Sequence, residues 1–600
     1  MKNILKALVL GLGLTVAASC NLSEYNPNEY GAAMAYGSEA NIRSLLYSFY
    51  STFPSLSGAY SKEQSSVDYL TTTALSSRFQ TTFTADEAAE WGDWDDLRNI
   101  NLFLTQMNSS ACGVEGALKD NFVGQGRFLR GYWYFKKLRT YGDMPWYDHV
   151  IDIDDPADEY KDRESRDIVV KNMLEDLDYA IANVTDESVD ATWISKEVIQ
   201  FIKMQACLYE ASFRKYNNVT SSAKGVAFTN YTVDQLYTLA AETAEALIKS
   251  GKYSLVPDYR SLFISDDLQK DEVILGAETS SSVKGSQNNY FGYADSNPRA
   301  LVRTFINTYL MKDGTPYTGT ASYGTDKFSE EFANRDPRLA KIVRTPGYKF
   351  AGSKVVPSFN VAPTGYQIIK FCLDKYAYGT TDEQGNSNTN AVPVFRYAEV
   401  LLSYAEAKAE LGQMTDAIWA QTVGAIRQRA GITGGNATTG TLTAAPSGAP
   451  DPYLKANFYP NVDNAVIMEI RRERACELCL EGQRYDDLMR WGCGNALASV
   501  KWDGINLGAG VDTEIDVDGD GNPDVYFYTG KKPSNETTGV QYILVNNETG
   551  LQLNNGQLSW TPIQKRYWAS DGHLCLSPMR TDLITEYVKH GYTLTQNPGY

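Results

Sequence analysis

Apolar residues recur at helical spacing along most of this chain. In residues 165–182, for example, Val169, Met173 and Leu177 fall on one face of a helix. The helical segments follow one another through short connections, which indicates helices paired in hairpins. The predicted helices span residues 42–53, 91–107, 126–142, 165–182, 195–216, 233–248, 396–412 and 417–430.

A few segments depart from the helical pattern. Residues 271–277 read DEVILGA and predict a strand. The threonines of residues 71–84 and the Ser, Asn and Gly residues of 280–297 indicate loops. We therefore predict a mainly α fold of tetratricopeptide-like helix hairpins, without a regular 34-residue repeat, with long irregular loops and few short strands.

Residues 463–491 form the stretch around which the chain is organised. Asp463 is expected to cap a helix that ends at Gly482, where a second short helix follows. Four acids at every fourth position form a stripe on this helix, and apolar residues lie among them, so we expect a buried stripe paired with cations. The acids of this stripe are Glu469, Glu473, Glu477 and Glu481. The candidate partners are Arg472, Arg474, Arg484 and Arg490.

The same stretch contains RRERACELCLEGQRYDDLMRW, which closely resembles the signature RRERxxELxxEGxRxxDLxRW of the SusD/RagB family, surface glycan-binding lipoproteins of Bacteroidetes. Further similarity lies in RFLRGYWYFKKLRTYGDMP, in NRDPRL at 334–339 and in the terminal LTQNPGY. The resemblance implies the helix-hairpin architecture and one SusD-like domain over residues 20–600. Within that domain we expect a helical half at about 20–270 and a second half, with the signature, at about 271–600.

The N-terminus has the pattern of a bacterial lipoprotein signal. Lys2 and Lys6 precede the apolar run LVLGLGLTVAA, which is shorter than the roughly 20 residues of a membrane span. Small residues then stand directly before Cys20. We expect residues 1–19 to be a signal peptide and Cys20 to be lipidated, which would anchor the chain to the outer membrane at the cell surface.

Composition narrows the range of ligands. The formal net charge of −18 argues against nucleic acid or an anionic membrane surface as a partner, because both require clustered Lys and Arg. The chain has 40 Tyr and 10 Trp, whose rings either pack in helical cores or stack on sugars. Its three histidines are widely separated, so a His-dependent triad is not expected. Cys476 and Cys479 lack further zinc ligands nearby and are expected to pack in the core.

Residues 516–524, DVDGDGNPD, resemble an oxygen-rich calcium loop. The candidate ligands are Asp516, Asp518, Asp520 and Asp524. Position twelve is Phe527 rather than Glu, which excludes a standard EF-hand. The same residue types also build tight polar turns, so calcium binding and a turn without a metal both remain open.

Three functions are compatible with these patterns. The resemblance implies a non-catalytic protein that binds an oligo- or polysaccharide and delivers it to a SusC-like TonB-dependent receptor. The RagB branch of the family offers a peptide as the alternative cargo. A glycoside hydrolase would require a pair of carboxylates in a cleft. The sequence has no G-x-S-x-G, HExxH or phosphate-loop motif, so we do not expect an enzyme.

Aromatic and planar polar residues in loops of the first half are the candidate sugar contacts. The threonine-rich loop contains Arg78 and Phe79, and Trp91 begins the next predicted helix. The Ser/Asn loop at residues 280–297 contributes the largest number of candidate sugar contacts. Its aromatic residues stand in a polar, glycine-rich context that is unusual for a core element. Its candidates are Asn289, Tyr290, Phe291 and Tyr293.

Overall fold

The computed structural model describes residues 31–600, apart from residues 56–58, 60–61, 64, 93, 187–189, 279–297, 376–388 and 564. Helices dominate, as predicted. We label the longer ones α1 to α10 in chain order: α1 Glu39–Ser48, α2 Trp94–Met107, α3 Gly116–Tyr141, α4 Arg166–Asn183, α5 Lys196–Tyr216, α6 Val233–Lys249, α7 Tyr397–Glu410, α8 Ala465–Glu477, α9 Arg484–Arg490 and α10 Thr581–Lys589. In the described part of the chain, no helix combines the length and the apolar character that a membrane crossing requires.

Shorter helical segments connect these elements. Asp416–Trp419, Ala420–Gly424 and Ala425–Ala430 follow one another directly, with a π turn in the middle, and together match the helix predicted at 417–430. The remaining short α-helices are Ala32–Ala35, Pro156–Glu159, Ser261–Ile264, Arg303–Ile306, Phe328–Glu331, Leu339–Ile342, Pro452–Asn457 and Ala496–Ser499. The 3-10 turns are Phe49–Thr52, Ser77–Phe79, Ala85–Glu87, Tyr317–Gly319 and His573–Cys575.

Side-chain caps and glycines fix where the long helices begin and end. The Ser195 side chain accepts a hydrogen bond from the Val198 amide at the start of α5. Thr232 and Gln235 form a reciprocal capping box at the start of α6. Gly142 ends α3 with φ +77°, a left-handed conformation that favours glycine, so the predicted end of this helix is confirmed.

The helices pack on their sequence neighbours and enclose one extensive apolar core. Helix α3 packs on α4, and α5 packs on α6. Helix α7 then contacts both α6 and α8, which joins the first half of the chain to the signature stretch. Trp133, Trp419 and Trp491 are almost fully buried in this core. The predicted fold class is confirmed.

The strands are short and form small separate sheets. They are β1 Leu70–Thr72, β2 Val273–Ala277, β3 Arg299–Leu301, β4 Lys349–Phe350, β5 Ser353–Lys354, β6 Val392–Arg396, β7 Asp503–Asn506, β8 Glu514–Ile515, β9 Val525–Tyr528, β10 Gln541–Leu544, β11 Leu551–Asn554 and β12 Gln557–Trp560. The pairs β1–β3, β2–β6 and β4–β5 are antiparallel. The other sheets have the orders β11-β12-β7 and β10-β9-β8, with β9 and β10 parallel.

Two of these strands bear directly on the sequence predictions. The strand predicted at 271–277 is confirmed as β2, in which Val273 lies opposite Arg396 of β6. The loop predicted at 71–84 is wrong at its start, because Thr71 and Thr72 belong to β1 and pair with β3. Both threonines are buried, which explains why their polar character alone was misleading.

Helix α8 is shorter than predicted at both ends. Asn464, rather than Asp463, caps it by accepting hydrogen bonds from the Val466 and Ile467 amides. It ends at Glu477 and not near Gly482, because Leu480 adopts φ +66° and breaks the helical path. The amide of Leu480 donates instead to the hydroxyl of Tyr69, at 2.9 Å.

The acidic stripe of the signature is buried, as predicted, but most of its partners come from other parts of the chain. Of the four predicted partners, Arg472 bonds the stripe through Glu469. The other three pair elsewhere: Arg474 with Glu399, Arg484 with Asp68 and Arg490 with Glu406. The stripe instead receives the cations Arg338, Lys370, Arg396, Arg427 and Arg429. The stripe thus joins distant segments of the second half, and the pair of Arg484 with Asp68 links the signature to the first half.

Candidate functional site

A cleft of about 750 Å³ opens between the segment before α2, the chain from 145 to 160 and helix α10. Five aromatic residues contribute to its lining: Trp91, Trp94, Tyr147, Tyr160 and Tyr587. They come from three segments that are far apart in sequence. The cleft therefore offers an aromatic wall that exists only after the chain has folded.

Packing fixes the orientation of Trp94 in this wall. Its ring meets Trp91 edge-on at a centroid distance of 5.1 Å and Tyr147 edge-on at 5.9 Å. A third contact, to Trp133 at 5.2 Å, ties it to the core. Trp94 remains half-buried, so part of the ring is accessible from the cleft. A ring held in this way loses little freedom when a ligand stacks on it.

Tyr160 occupies the opposite part of the cleft, beside α10. It contacts Tyr587 edge-on at 5.2 Å and stacks on His590 at 4.4 Å and on Tyr592 at 5.7 Å. The segment that carries Tyr160 is fixed by Tyr147, whose hydroxyl donates to the Asp158 carbonyl at 2.6 Å. Tyr160 is half-buried, like Trp94.

Charged residues form the rim of the cleft and bind one another. Arg580 Nε donates to Asp582 Oδ1 at 2.9 Å, and a second Arg580 nitrogen lies 3.6 Å from Glu90 Oε1. Lys589 Nζ lies 3.1 Å from Glu586 Oε2. A hydrogen bond from Arg580 lowers the pKa of Asp582, and one from Lys589 lowers the pKa of Glu586. Both carboxylates are therefore ionised at neutral pH.

The structure places the predicted sugar contacts in different surroundings, and only one of those described here lies in the cleft. Trp91 lies in the cleft wall, with 9% of its surface exposed, just before α2 rather than inside it. Phe79 is 2% exposed and packs in the core against Trp568, so it presents no face to a ligand. Arg78 donates to Ser577 and to main-chain carbonyls near it, which uses the guanidinium for structure. We therefore no longer assign a sugar-binding role to Phe79 and Arg78.

The remaining loop candidates are Asn289, Tyr290, Phe291 and Tyr293. They lie outside the described residues, as does Cys20. Sequence reasoning missed Trp94, Tyr147, Tyr160 and Tyr587 as a group. Tyr160 and Tyr587 are more than 400 residues apart in the sequence, and periodicity within one helix carries no signal for such a pair.

Three of the four proposed calcium ligands converge. One carboxylate oxygen each from Asp516, Asp518 and Asp524 lies within 4.8 Å of the other two. Asp520 instead turns to Asn522, accepting hydrogen bonds from its amide at 2.9 Å and its side chain at 3.0 Å. Burial, with the nearby charges of Asp518 and Asp516, raises the pKa of Asp524. The three carboxylates repel one another, and a hard cation placed among their oxygens would relieve this repulsion.

Comparison with known proteins places the chain in a family. The model of the SusD family matches residues 271–600, more than half of the sequence. The chain belongs to the SusD family. The match covers α7, the signature helices and all strands from β2 to β12.

Similar proteins share this fold at low sequence identity. The SusD-like protein P38 of Formosa agariphila is 23% identical over 421 residues, which cover 68% of this chain and 73% of P38. A SusD-like carbohydrate-binding protein of Bacteroides fragilis matches with a TM-score of 0.60 and 20% identity, over 81% of this chain and 93% of that one. A second SusD-like protein of the same species gives a TM-score of 0.63 and 19% identity, over 94% and 98% of the two chains.

A surface glycan-binding protein of Bacteroides fluxus has the same architecture. Its TM-score is 0.54 at 16% identity, over 94% of this chain and 100% of the Bacteroides fluxus chain. Likeness at this level of identity establishes the fold of this SusD-family chain and leaves its ligand to be argued from its own residues.

Proposed function

We propose that this protein binds a glycan in the cleft between α2 and α10, without chemical conversion. The observation that carries the proposal is the aromatic wall, in which Trp94 and Tyr160 are held in place and remain partly accessible. The C–H faces of sugar rings stack on such surfaces, and rim carboxylates accept hydrogen bonds from sugar hydroxyls. The SusD-like relative from Bacteroides fragilis that is named for carbohydrate binding supports this assignment.

The charges of the rim weigh against the two alternative functions. A charged groove would favour a peptide and an exposed aromatic wall a glycan. This cleft has the aromatic wall, and its two cations, Arg580 and Lys589, are already bound by carboxylates of the same rim. A glycoside hydrolase requires an acid with a raised pKa. The pKa values of Asp582 and Glu586, two of the four carboxylates of the cleft, are lowered instead. Binding of a glycan is the function that this chemistry supports best.

Delivery of the glycan to a SusC-like TonB-dependent receptor completes the proposal. Family membership supports this partner, and the signal-like N-terminus with Cys20 supports a lipid anchor on the outer membrane. In this arrangement the protein captures the glycan at the cell surface and the receptor transports it. The loop residues Asn289, Tyr290, Phe291 and Tyr293 remain proposed additional contacts to the sugar.

The test is a glycan array with the mature protein, followed by calorimetry of the best oligosaccharide with Trp94→Ala and Tyr160→Ala. Loss of one stacking ring costs roughly 1–3 kcal/mol, taking bases stacked on aromatic side chains as the guide. Each variant should therefore bind roughly five- to hundredfold more weakly.

Trp193→Ala is the matched control. Trp193 is an exposed tryptophan that contacts Tyr47 and lies outside the cleft. Its loss should leave the affinity unchanged, and circular dichroism should show that all variants are folded. Unchanged affinity in both cleft variants would reject this cleft as the site.

A further inference from the structure

The cleft carries a surplus of negative charge. Among the described residues, its lining holds four carboxylates and two cationic side chains. The carboxylates are Glu90, Glu159, Asp582 and Glu586, and the cations are Arg580 and Lys589. The whole chain is also acidic, with a formal net charge of −18.

Both cations of the lining are already paired with carboxylates of the same rim. Arg580 is bonded to Asp582 through two nitrogens and also approaches Glu90. Lys589 pairs with Glu586, whose other oxygen lies 3.1 Å from His590 Nε2. An anionic sugar would have to compete with these carboxylates for the same guanidinium and ammonium groups.

Glu159 adds a negative charge that the rim does not compensate. It is exposed, ends the short helix Pro156–Glu159 directly before Tyr160, and makes no ion pair among the described residues. Its position next to a stacking ring would bring it close to the substituents of a bound sugar. A hydroxyl can donate to this carboxylate, whereas a uronate or sulfate would be repelled by it.

From this arrangement we infer that the cleft selects uncharged glycans and rejects polyanionic ones, such as those built from uronic acids or carrying sulfate esters. The aromatic wall supplies affinity for any sugar with a flat C–H face, and the rim carboxylates then discriminate by charge. The inference rests on the proposed glycan-binding function of the same cleft.

The experiment compares acidic polysaccharides with their own uncharged forms. Polygalacturonate, alginate and hyaluronate are each run in native affinity gels beside the same polymer after carboxyl reduction, together with neutral mannan, galactan, xyloglucan and amylopectin. The mature protein should be retarded by at least one neutral or carboxyl-reduced polymer, and at the same polymer concentration each acidic parent should retard it more weakly than its reduced form does. Retardation by an acidic parent that is stronger than by its reduced form, and that is lost in Trp94→Ala, would overturn the charge inference while preserving the glycan site.

A charge reversal tests the mechanism of this discrimination. Glu159→Lys should strengthen binding of the acidic parent polymers about threefold at low salt, as expected for one exposed charge, and leave the neutral ligand within about twofold. Glu242→Lys makes the same change of net charge on the exposed face of α6 and should have no such effect. Equal effects of the two variants would show that net charge alone governs the selectivity and would overturn the role of the cleft.

Absence of retardation by every polymer would reject the proposed function itself, and this inference with it.

Discussion

Trp94 belongs both to the hydrophobic core and to the wall of the cleft. Its contact with Trp133 anchors one side, and the edges of Trp91 and Tyr147 hold the ring against rotation. The residues that orient a stacking ring are therefore themselves core residues. Substitutions behind the wall, such as at Trp133, should weaken ligand binding through the position of Trp94.

The aspartates of the 516–524 loop lead to a prediction about calcium. We propose that Asp516, Asp518 and Asp524 bind Ca²⁺, because their oxygens converge and hard cations prefer carboxylates. Addition of calcium after chelation should raise the melting temperature, since a ligand that binds only the folded state stabilises it. Asp518→Asn should abolish that rise, measured by differential scanning calorimetry.

Asp267→Asn serves as the control for this measurement. Asp267 is exposed and lies outside the converging cluster, so its variant should respond to calcium like the unaltered protein. A melting temperature that is independent of calcium in the unaltered protein would refute the metal site and leave a polar turn.

At the level of elements, the signature helix α8 is the point at which cations from distant segments meet. Arg396, at the end of β6, bonds Glu477 at 2.7 Å and Glu481 at 2.6 Å, and it also reaches Glu272. All these side chains are buried or nearly so. A buried charge is tolerated only when it is paired, so each member depends on the others.

Arg396→Met should therefore destabilise the protein strongly. The substitution preserves much of the side-chain volume but leaves buried carboxylates without their common partner, at an expected cost of about 3–5 kcal/mol. The free energy of unfolding in urea measures this effect. Arg98→Met on the exposed surface of α2 is the control and should change stability by less than about 0.5 kcal/mol. Similar stabilities of the two variants would contradict the structural role of the network.

Elements with strong local periodicity could be predicted from the sequence, and elements defined by long-range contacts could not. Helices α4, α5 and α6 lie within a few residues of their predicted bounds, because their apolar stripes and caps are local. The burial of the acidic stripe also followed from the residues beside it. Its partners did not, since Arg338 and Arg427 are more than 40 residues away from the acids that they bind.

The cleft shows the same limit for the candidate site. The sequence offers both Trp91 and Phe79 as candidate sugar contacts, but Trp91 lines the cleft and Phe79 lies in the core. Only the tertiary packing that brings α10 beside the chain from 145 to 160 distinguishes them. Local sequence does not encode which aromatic ring faces a cleft.

At the scale of the whole molecule, the N-terminal pattern predicts attachment to a membrane. Cys20→Ala should release the protein from the membrane fraction or leave its precursor uncleaved, because lipidation requires that cysteine. Cell fractionation with immunoblotting measures the outcome. Cys112→Ala changes a half-buried cysteine of the folded domain and should fractionate normally. Unaltered membrane association of the Cys20 variant would disprove the anchor.

If the cleft between α2 and α10 holds the glycan, a crystal structure with the oligosaccharide selected on the array will show it there. We predict a sugar ring with its centre about 4.5–7 Å from the centre of the Trp94 or Tyr160 ring, the range of aromatic stacking contacts. We also predict hydroxyl groups within hydrogen-bonding distance of the rim carboxylates. An ordered oligosaccharide bound elsewhere on the protein, with the cleft free of sugar, would contradict the account.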